Sequence, residues 1–588
     1  MTKVAKYISF ALGFICCLYF GWFTYSFLTP QLAWIEQQHF LALDWESFLN
    51  MAFSFGGFSH WLSLLGIQFF PFPLTGTVVF LLPSILMWAA WLVICHRLRL
   101  SSAFGLLVFI PIAIFLHTAV DPHLHFWFAL STSLALLCLA LLSLLRASIR
   151  IYAFSCAVPL VYWLCGPTAL IFLGGGMLLF TEKRKSGLAT IVPITIFLVM
   201  AWTAENRGWA DSLRAALSPS FYYNPYMEHV PILLWVATLS TVALGLLRLL
   251  PFDESAWTWQ RRMLLTSGIF LPLFIGILTT TDKCYDGKSQ FLYQLSNDAS
   301  HEDWESLLHH ASEHGVVNNE LYLNYIYLAM AHQGKLSSDP LRFTPNGANS
   351  LLVLQGEGFD MLMMQSDIDY VIGNIASAQH KAFEAQSFAI PEFMSIRALK
   401  RLVQTNIVQG HYEVAEKYLA LIERTLFHKE WAARYRTFLF NDQAVNEDAL
   451  MGRLRRSIPH HSRFIMLDGW YPEIEDILNT DPTNLVAATY IGLTYLFSKN
   501  LLLFKQFIDK YQHIPALQPL PVPFQEALLI HFQQDESKWK EYGIEDSTIK
   551  RYNDFRSQFI QNRNRGNVAL LMRRQFGRTM WYYYMFKK

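Results

Sequence analysis

Between residues 1 and 280 the chain returns again and again to apolar runs of membrane-crossing length, such as "TVVFLLPSILMWAAWLVIC" at 77–95. A run of about 20 apolar residues must satisfy its backbone internally once it leaves water, and a continuous helix does so. Charged residues make up 15% of the chain, where an ordinary soluble protein carries about a quarter. The shortfall is uneven. Residues 1–281 read as a polytopic transmembrane domain, and 282–588 as a soluble α-helical, repeat-like domain.

Basic residues mark the cytoplasmic ends of spans. Lys3 and Lys6 put the N-terminus inside, and the first span, about 7–28, exits. Its apolar core is longer than a signal-peptide core and no small-residue cleavage site follows, so it is read as a retained helix. Residues 74–95 return to "HRLRL" (His96, Arg97, Arg99), 101–119 exit, and 124–145 return to "RASIR" (Arg146, Arg150). The stretch 151–180 is broken at "CGPT" and counts as two short helices, out and back to "TEKRKS" (Lys183, Arg184, Lys185). Spans over 187–203, 230–249 (back to Arg248 and "WQRR") and 262–280 complete about nine. This count puts every basic cluster on one side. The tail is then extracytoplasmic, and in a bacterium the protein sits in the inner membrane with a periplasmic domain.

Three loops share the tail's side: 30–73, 120–124 and 204–229. Loop one is aromatic and amphipathic. Glu36, Asp44 and Glu46 would each cost about 2–4 kcal/mol at the bilayer centre, so interfacial helices are expected there. Loop two is "TAVDPHLHFWFA", with Asp121, Pro122, His123 and His125 following His117. His117 and Asp121 are four apart and would share a helix face, while Asp121, His123 and His125 alternate in an extended turn and would point together. Imidazole and carboxylate groups so placed can hold a divalent cation such as Mg or Mn, or set a general base beside a substrate. The competing reading is a polar cap on two helices. Loop three carries Glu205, Arg207 and "FYYNPY", including Tyr223; a guanidinium such as Arg207 grips phosphate oxygens in a fork. His60 of loop one, Glu205 and Tyr223 complete the substrate-binding candidates.

The tail alternates amphipathic helix-length segments with polar breaks. "NELYLNYIYLAMAHQGKLSS", "IRALKRLVQTNIVQGHYEVAEKYLALIERT" and "DPTNLVAATYIGLTYLFSKNLLLFKQFIDKY" resemble tetratricopeptide-type helix pairs, the middle one with Gly410, Tyr412 and Ala415 at its turn. The expected fold class is therefore all-α, a membrane domain followed by a degenerate α-solenoid that binds protein or packs on the membrane domain. The closing "GRTMWYYYMFKK" reads as an aromatic cluster packed on the solenoid, or else as an interfacial anchor. Net charge is +1 and no nucleic-acid motif is present, so nothing suggests a polyanion partner. A tail with one cysteine, Cys284, cannot form an internal disulfide, and no CxxC occurs.

Over residues 1–280 the order of these features resembles the GT-C superfamily of integral-membrane glycosyltransferases. There, an acidic residue in a long first extracytoplasmic loop and a second in the short loop between helices 3 and 4 flank the site. Here the matching positions are Asp44 or Glu46, and Asp121; no DxD motif is present. The resemblance implies transfer of a sugar or oligosaccharide from a polyprenyl-phosphate-linked donor to an extracytoplasmic acceptor, glycan, lipid or protein, presented by the tail. The whole chain is also similar to Bacteroidetes membrane proteins with a tetratricopeptide-like tail, a resemblance that implies no activity. A non-catalytic envelope scaffold is the alternative. A transporter fits less well, because the spans hold almost no ionisable residues.

Overall fold

The apolar runs become helices whose outward faces stay apolar. The computed structural model describes residues 2–121, 123–180, 188–224, 229–249, 257–315, 318–389, 394–460, 470–533 and 535–587. Among them the chain is helical throughout, with no strand and one isolated bridge, Leu124 with Tyr223. Lys183, Arg184, Lys185 and Pro122, named above, lie outside the described residues. So do Pro225 and Tyr226 of "FYYNPY".

Five apolar helical segments are long enough to cross a membrane: Tyr7–Gln38, Pro73–Arg97, Ile149–Phe180, Ile232–Leu249 and Trp259–Lys283. Their exposed side chains are large and apolar, among them Phe14, Leu18, Trp22, Leu264 and Ile275, as lipid-facing surfaces require. By length and composition these helices are compatible with a multi-pass membrane protein.

Contacts divide the chain into two units, Met1–Gln290 with Arg424–Phe427, and Phe291–Glu423 with His428–Lys588. In the first unit, α1 (Thr2–Phe23) passes through a π turn at Thr24–Leu28 into α2 (Thr29–Gln38). The first loop therefore starts after Gln38, not at residue 30. Pro30 falls in the first turn of α2, where its missing N–H costs nothing, so the helix restarts instead of ending. α3 (Trp45–Ala52) and α4 (Gly57–Ile67) occupy the rest of that loop. α5 (Pro73–Arg97), α6 (Phe109–Thr118) and α7 (Trp127–Ser143) follow.

α8 (Ala147–Cys165) and α9 (Ala169–Phe180) are joined by the 3-10 turn Gly166–Thr168. The chain reverses there. The Phe154 ring lies 5.3 Å from Phe172, and a Cβ on Gly176 would sit 2.2 Å from the same ring. In a straight helix residues 154 and 176 would be about 33 Å apart. Gly166 allows the reversal, with φ +66° in a region that side chains avoid. α10 (Leu188–Asn206), α11 (Leu213–Ala216), α12 (Ile232–Ala243) and α13 (Trp259–Cys284) complete the unit.

The second unit is built from consecutive packed helices. Ile396–Gln409 ends on Gly410 in the left-handed region and pairs with Tyr412–Ile422, whose Ala415 is buried. Leu485–Phe497 pairs likewise with Leu501–Tyr511, each capped by an asparagine, Asn484 and Asn500. The segment from Asn319 differs from expectation. It supplies a single helix, Glu320–His332, followed by turns as far as Phe359. Its "HQGKLSS" end has the polar residues of a helix-pair turn but no apolar helix behind it. The terminal "MWYYYMF" forms a helix with Trp581, Tyr582 and Tyr583 buried against Val522–Phe532, so its aromatics are core.

Candidate functional site

Loops two and three are stitched together at the N-terminal end of α7. Around the Leu124–Tyr223 bridge, the His125 N–H donates to the Tyr222 carbonyl (3.1 Å) and the Asn224 N–H to the His123 carbonyl (3.0 Å). This short pairing fixes which side chains meet. The Tyr223 hydroxyl donates to Asp121 Oδ2 at 2.8 Å, and the His123 N–H donates to Oδ1 at 3.0 Å. Asp121 is half-buried and Tyr223 buried. Burial first, and then the Asp121 carboxylate, push the Tyr223 phenol well above its usual range, so it stays a proton donor.

Tyr222, beside it, locks loop three onto the α8–α9 turn, its hydroxyl donating to the Cys165 carbonyl and accepting from the Thr168 N–H. From α2, the Gln31 amide donates to the carbonyls of Ala119 and Val120 (both 3.1 Å), just before Asp121. His39, at the end of α2, has its ring 6.4 Å from that of His125. His60 stacks on Trp127 at 4.2 Å and 17°, while the Trp127 indole donates to Ser59 at 2.7 Å. Three loops thus converge on one polar patch that includes Asp121, His123, His125, His39 and Tyr223, with the His60–Trp127 stack beside it.

The remaining candidates have other partners or are exposed. Asp44 caps α3, accepting from the Ser47 N–H and hydroxyl (2.9 Å each), and pairs with Arg424 at 3.6 Å. Ser47 above all, helped by Arg424, holds the Asp44 carboxyl below the usual carboxylate range. Glu46 is exposed in the first turn of α3. Glu205 is exposed and accepts from the Leu213 N–H at 3.1 Å, which ties down the start of α11. Arg207 is exposed beyond the end of α10. None of these four bonds to Asp121, whose carboxylate is engaged by Tyr223 and His123.

Two expectations about loop two are corrected. His117 and Asp121 do not share a helix face, because α6 ends at Thr118 and Asp121 lies in the bend beyond it. Asp121, His123 and His125 do not form a ligand set either. Among the described residues no three His, Cys, Asp or Glu side chains gather to hold a metal ion. Both Asp121 carboxylate oxygens are already engaged, Oδ2 by the Tyr223 hydroxyl and Oδ1 by the His123 N–H.

His39 and Gln31 were not among the sequence candidates. For His39 the signal was the polar run "EQQH" closing an otherwise apolar helix; Gln31, five residues before it, carries no such signal. The opposite end of α7 is basic. There Arg97 and Arg150 donate to carbonyls of Leu144, Ser143 and Leu145, with Arg248 in electrostatic reach. α7 has 17 residues, so about 25 Å separates the acidic patch from this basic end.

No curated protein and no solved structure matches the chain. The glycosyltransferase resemblance therefore has no relative behind it. One family model does match, described as "Family of unknown function (DUF6057)" and covering residues 1–587. The chain belongs to that family.

Proposed function

We propose that this protein is an integral-membrane transferase of GT-C type that moves a sugar or oligosaccharide from a polyprenyl-phosphate-linked donor to an acceptor outside the cytoplasm. The observation that carries this reading is the Tyr223–Asp121 hydrogen bond at the junction of loops two and three. It holds a carboxylate in one orientation at the rim of an apolar helix bundle, where a lipid-borne phosphate and a water-borne hydroxyl can meet. Asp121 accepts the acceptor hydroxyl's proton as the sugar carbon is attacked, and Tyr223 positions it. The His60–Trp127 stack offers a flat face for a sugar ring. Arg207 takes the donor phosphate. Asp44 and Glu46 are assigned lesser roles, since Asp44 is occupied as a helix cap.

The same reading has nine crossings, with α8 and α9 counted as two, a cytoplasmic N-terminus in the inner membrane, and a periplasmic C-terminal unit. That unit acts as a degenerate tetratricopeptide-like solenoid that selects the acceptor. The α8–α9 reversal supports the count, and the helix pairs either side of Gly410 and Lys499 support the solenoid. A non-catalytic envelope scaffold is favoured instead by the structural duties of Asp44 and Glu205.

The test is a surface-glycan and lipid-linked-intermediate profile of cells carrying Asp121→Asn or Tyr223→Phe at equal expression. Asp121→Asn abolishes transfer and Tyr223→Phe slows it about a hundredfold, the lower end of the range for general-base catalysis. Wild-type profiles from both variants would leave the scaffold.

A further inference from the structure

The cations at the basic end of the first unit divide into two groups. Arg97 and Arg150 are spent on the last carbonyls of α7, groups that every helix C-terminus leaves unsatisfied. The side chains of His96 and Arg99, either side of the α5 terminus at Arg97, make no hydrogen bond or ion pair among the described residues. Both instead line a cleft of about 380 Å³ between α1, the end of α5 and the 3-10 turn Ser102–Leu106.

The other walls have two chemistries. Ser9 and Ser102 bring hydroxyls, while Phe10 and Leu92 form an apolar side. Phe10 is fixed in place by its stack on Trp88 (5.1 Å), and Trp88 itself lies so close to α1 that only Gly13 fits beneath it. Arg99 is held with φ +57°, in the left-handed region that an arginine seldom enters. The turn is closed by the Leu100 N–H donating to the Cys95 carbonyl at 2.9 Å. Such conformations persist where the surrounding fold imposes them, and they gather at ligand clamps.

A guanidinium, an imidazole and the Ser102 hydroxyl above an apolar wall match a phosphate that carries a hydrocarbon chain. The guanidinium fork and the Ser102 hydroxyl donate to phosphate oxygens, and the chain covers Phe10 and Leu92. Lys or Arg groups at a membrane surface also draw anionic headgroups electrostatically. We propose that this cleft is a binding site for an anionic phospholipid, with its headgroup phosphate between Arg99 and His96. It is separate from the acidic patch and does not depend on the transferase reading.

The test uses the purified full chain in detergent, followed by native mass spectrometry during titration with phosphatidylglycerol, phosphatidylcholine or inorganic phosphate. Phosphatidylglycerol should be retained at least tenfold better than phosphatidylcholine. The double variant His96→Gln, Arg99→Gln should lose about tenfold in phosphatidylglycerol affinity, as expected for removing a charge-assisted bond. Unchanged melting without lipid shows that the variant is folded; should it melt early, Ser102→Ala gives the same comparison with a smaller change. Equal retention of both lipids, or of phosphatidylglycerol by wild type and variant, would overturn the site. Competition by inorganic phosphate at the same concentration as the lipid would overturn the role of the acyl chain.

Discussion

Asp44 and Asp121 look alike as acidic residues beside apolar helices, yet their neighbours give them different jobs. Asp44 precedes "WES", and an aspartate three residues before a serine is a helix-start pattern that can be read directly. The structure uses it so, through Ser47. Its lowered carboxyl contributes stability above the unfolded range and loses it as pH falls. Asp44→Asn should therefore lower the melting temperature at neutral pH and flatten the acid limb, with glycan transfer intact; loss of transfer at unchanged melting would return Asp44 to the chemistry. Asp121 was legible as a candidate, but its partner was not. Tyr223 is 102 residues away, and no local periodicity announces a two-residue bridge. Among buried acids in the second unit, Glu526 stands out. Burial raises its carboxyl to about 7 from an ordinary 4.5, opposed by the Met580 N–H and Arg551. The folded chain keeps a proton that the unfolded chain has lost, so this stability is full below pH 4.5 and is lost as pH rises through 7. From this group the wild type should lose about 2–3 kcal/mol on passing from the lower to the higher value. Glu526→Gln keeps an acceptor for Met580 and should lack that loss; an unchanged difference between acid and neutral melting would refute the assignment.

At the scale of elements, apolar length predicted helices well, and special residues predicted their breaks. "CGPT" marked the turn between α8 and α9 because Gly and Pro there leave no regular continuation. Gly166 also meets Gly56 of loop one, whose own φ is +77° and whose N–H donates to the Trp163 carbonyl at 2.8 Å. A Cβ on Gly56 would lie 2.9 Å from the Trp127 ring, so two side-chain-free positions let loop one reach α7. Gly166→Ala should cost about 1–2 kcal/mol through its positive φ, seen as earlier melting of the detergent-solubilised chain. No change in melting would mean that the turn is not strained by a side chain. Pro30 does not end the first helix, since a proline ends a helix only where the N–H is needed. A π turn put Pro30 at a helix start instead. Loop three was legible as polar and aromatic, but its register against loop two was set by tertiary pairing that sequence spacing does not carry.

For the whole molecule, the main organisation follows from charge. The clusters around Arg97, Arg150 and Arg248 meet at one end of α7, and the patch around Asp121 and Tyr223 forms at the other. In the proposed arrangement a membrane lies between these ends, with the lipid-phosphate cleft on the cytoplasmic side and the transferase patch outside. The most direct measurement is labelling of His123→Cys and Arg99→Cys variants of the full chain by a membrane-impermeant maleimide, in intact spheroplasts and in lysed ones. Position 123 should label in both, and position 99 only after lysis. Labelling of both positions in intact spheroplasts, or of position 99 alone, would contradict the account.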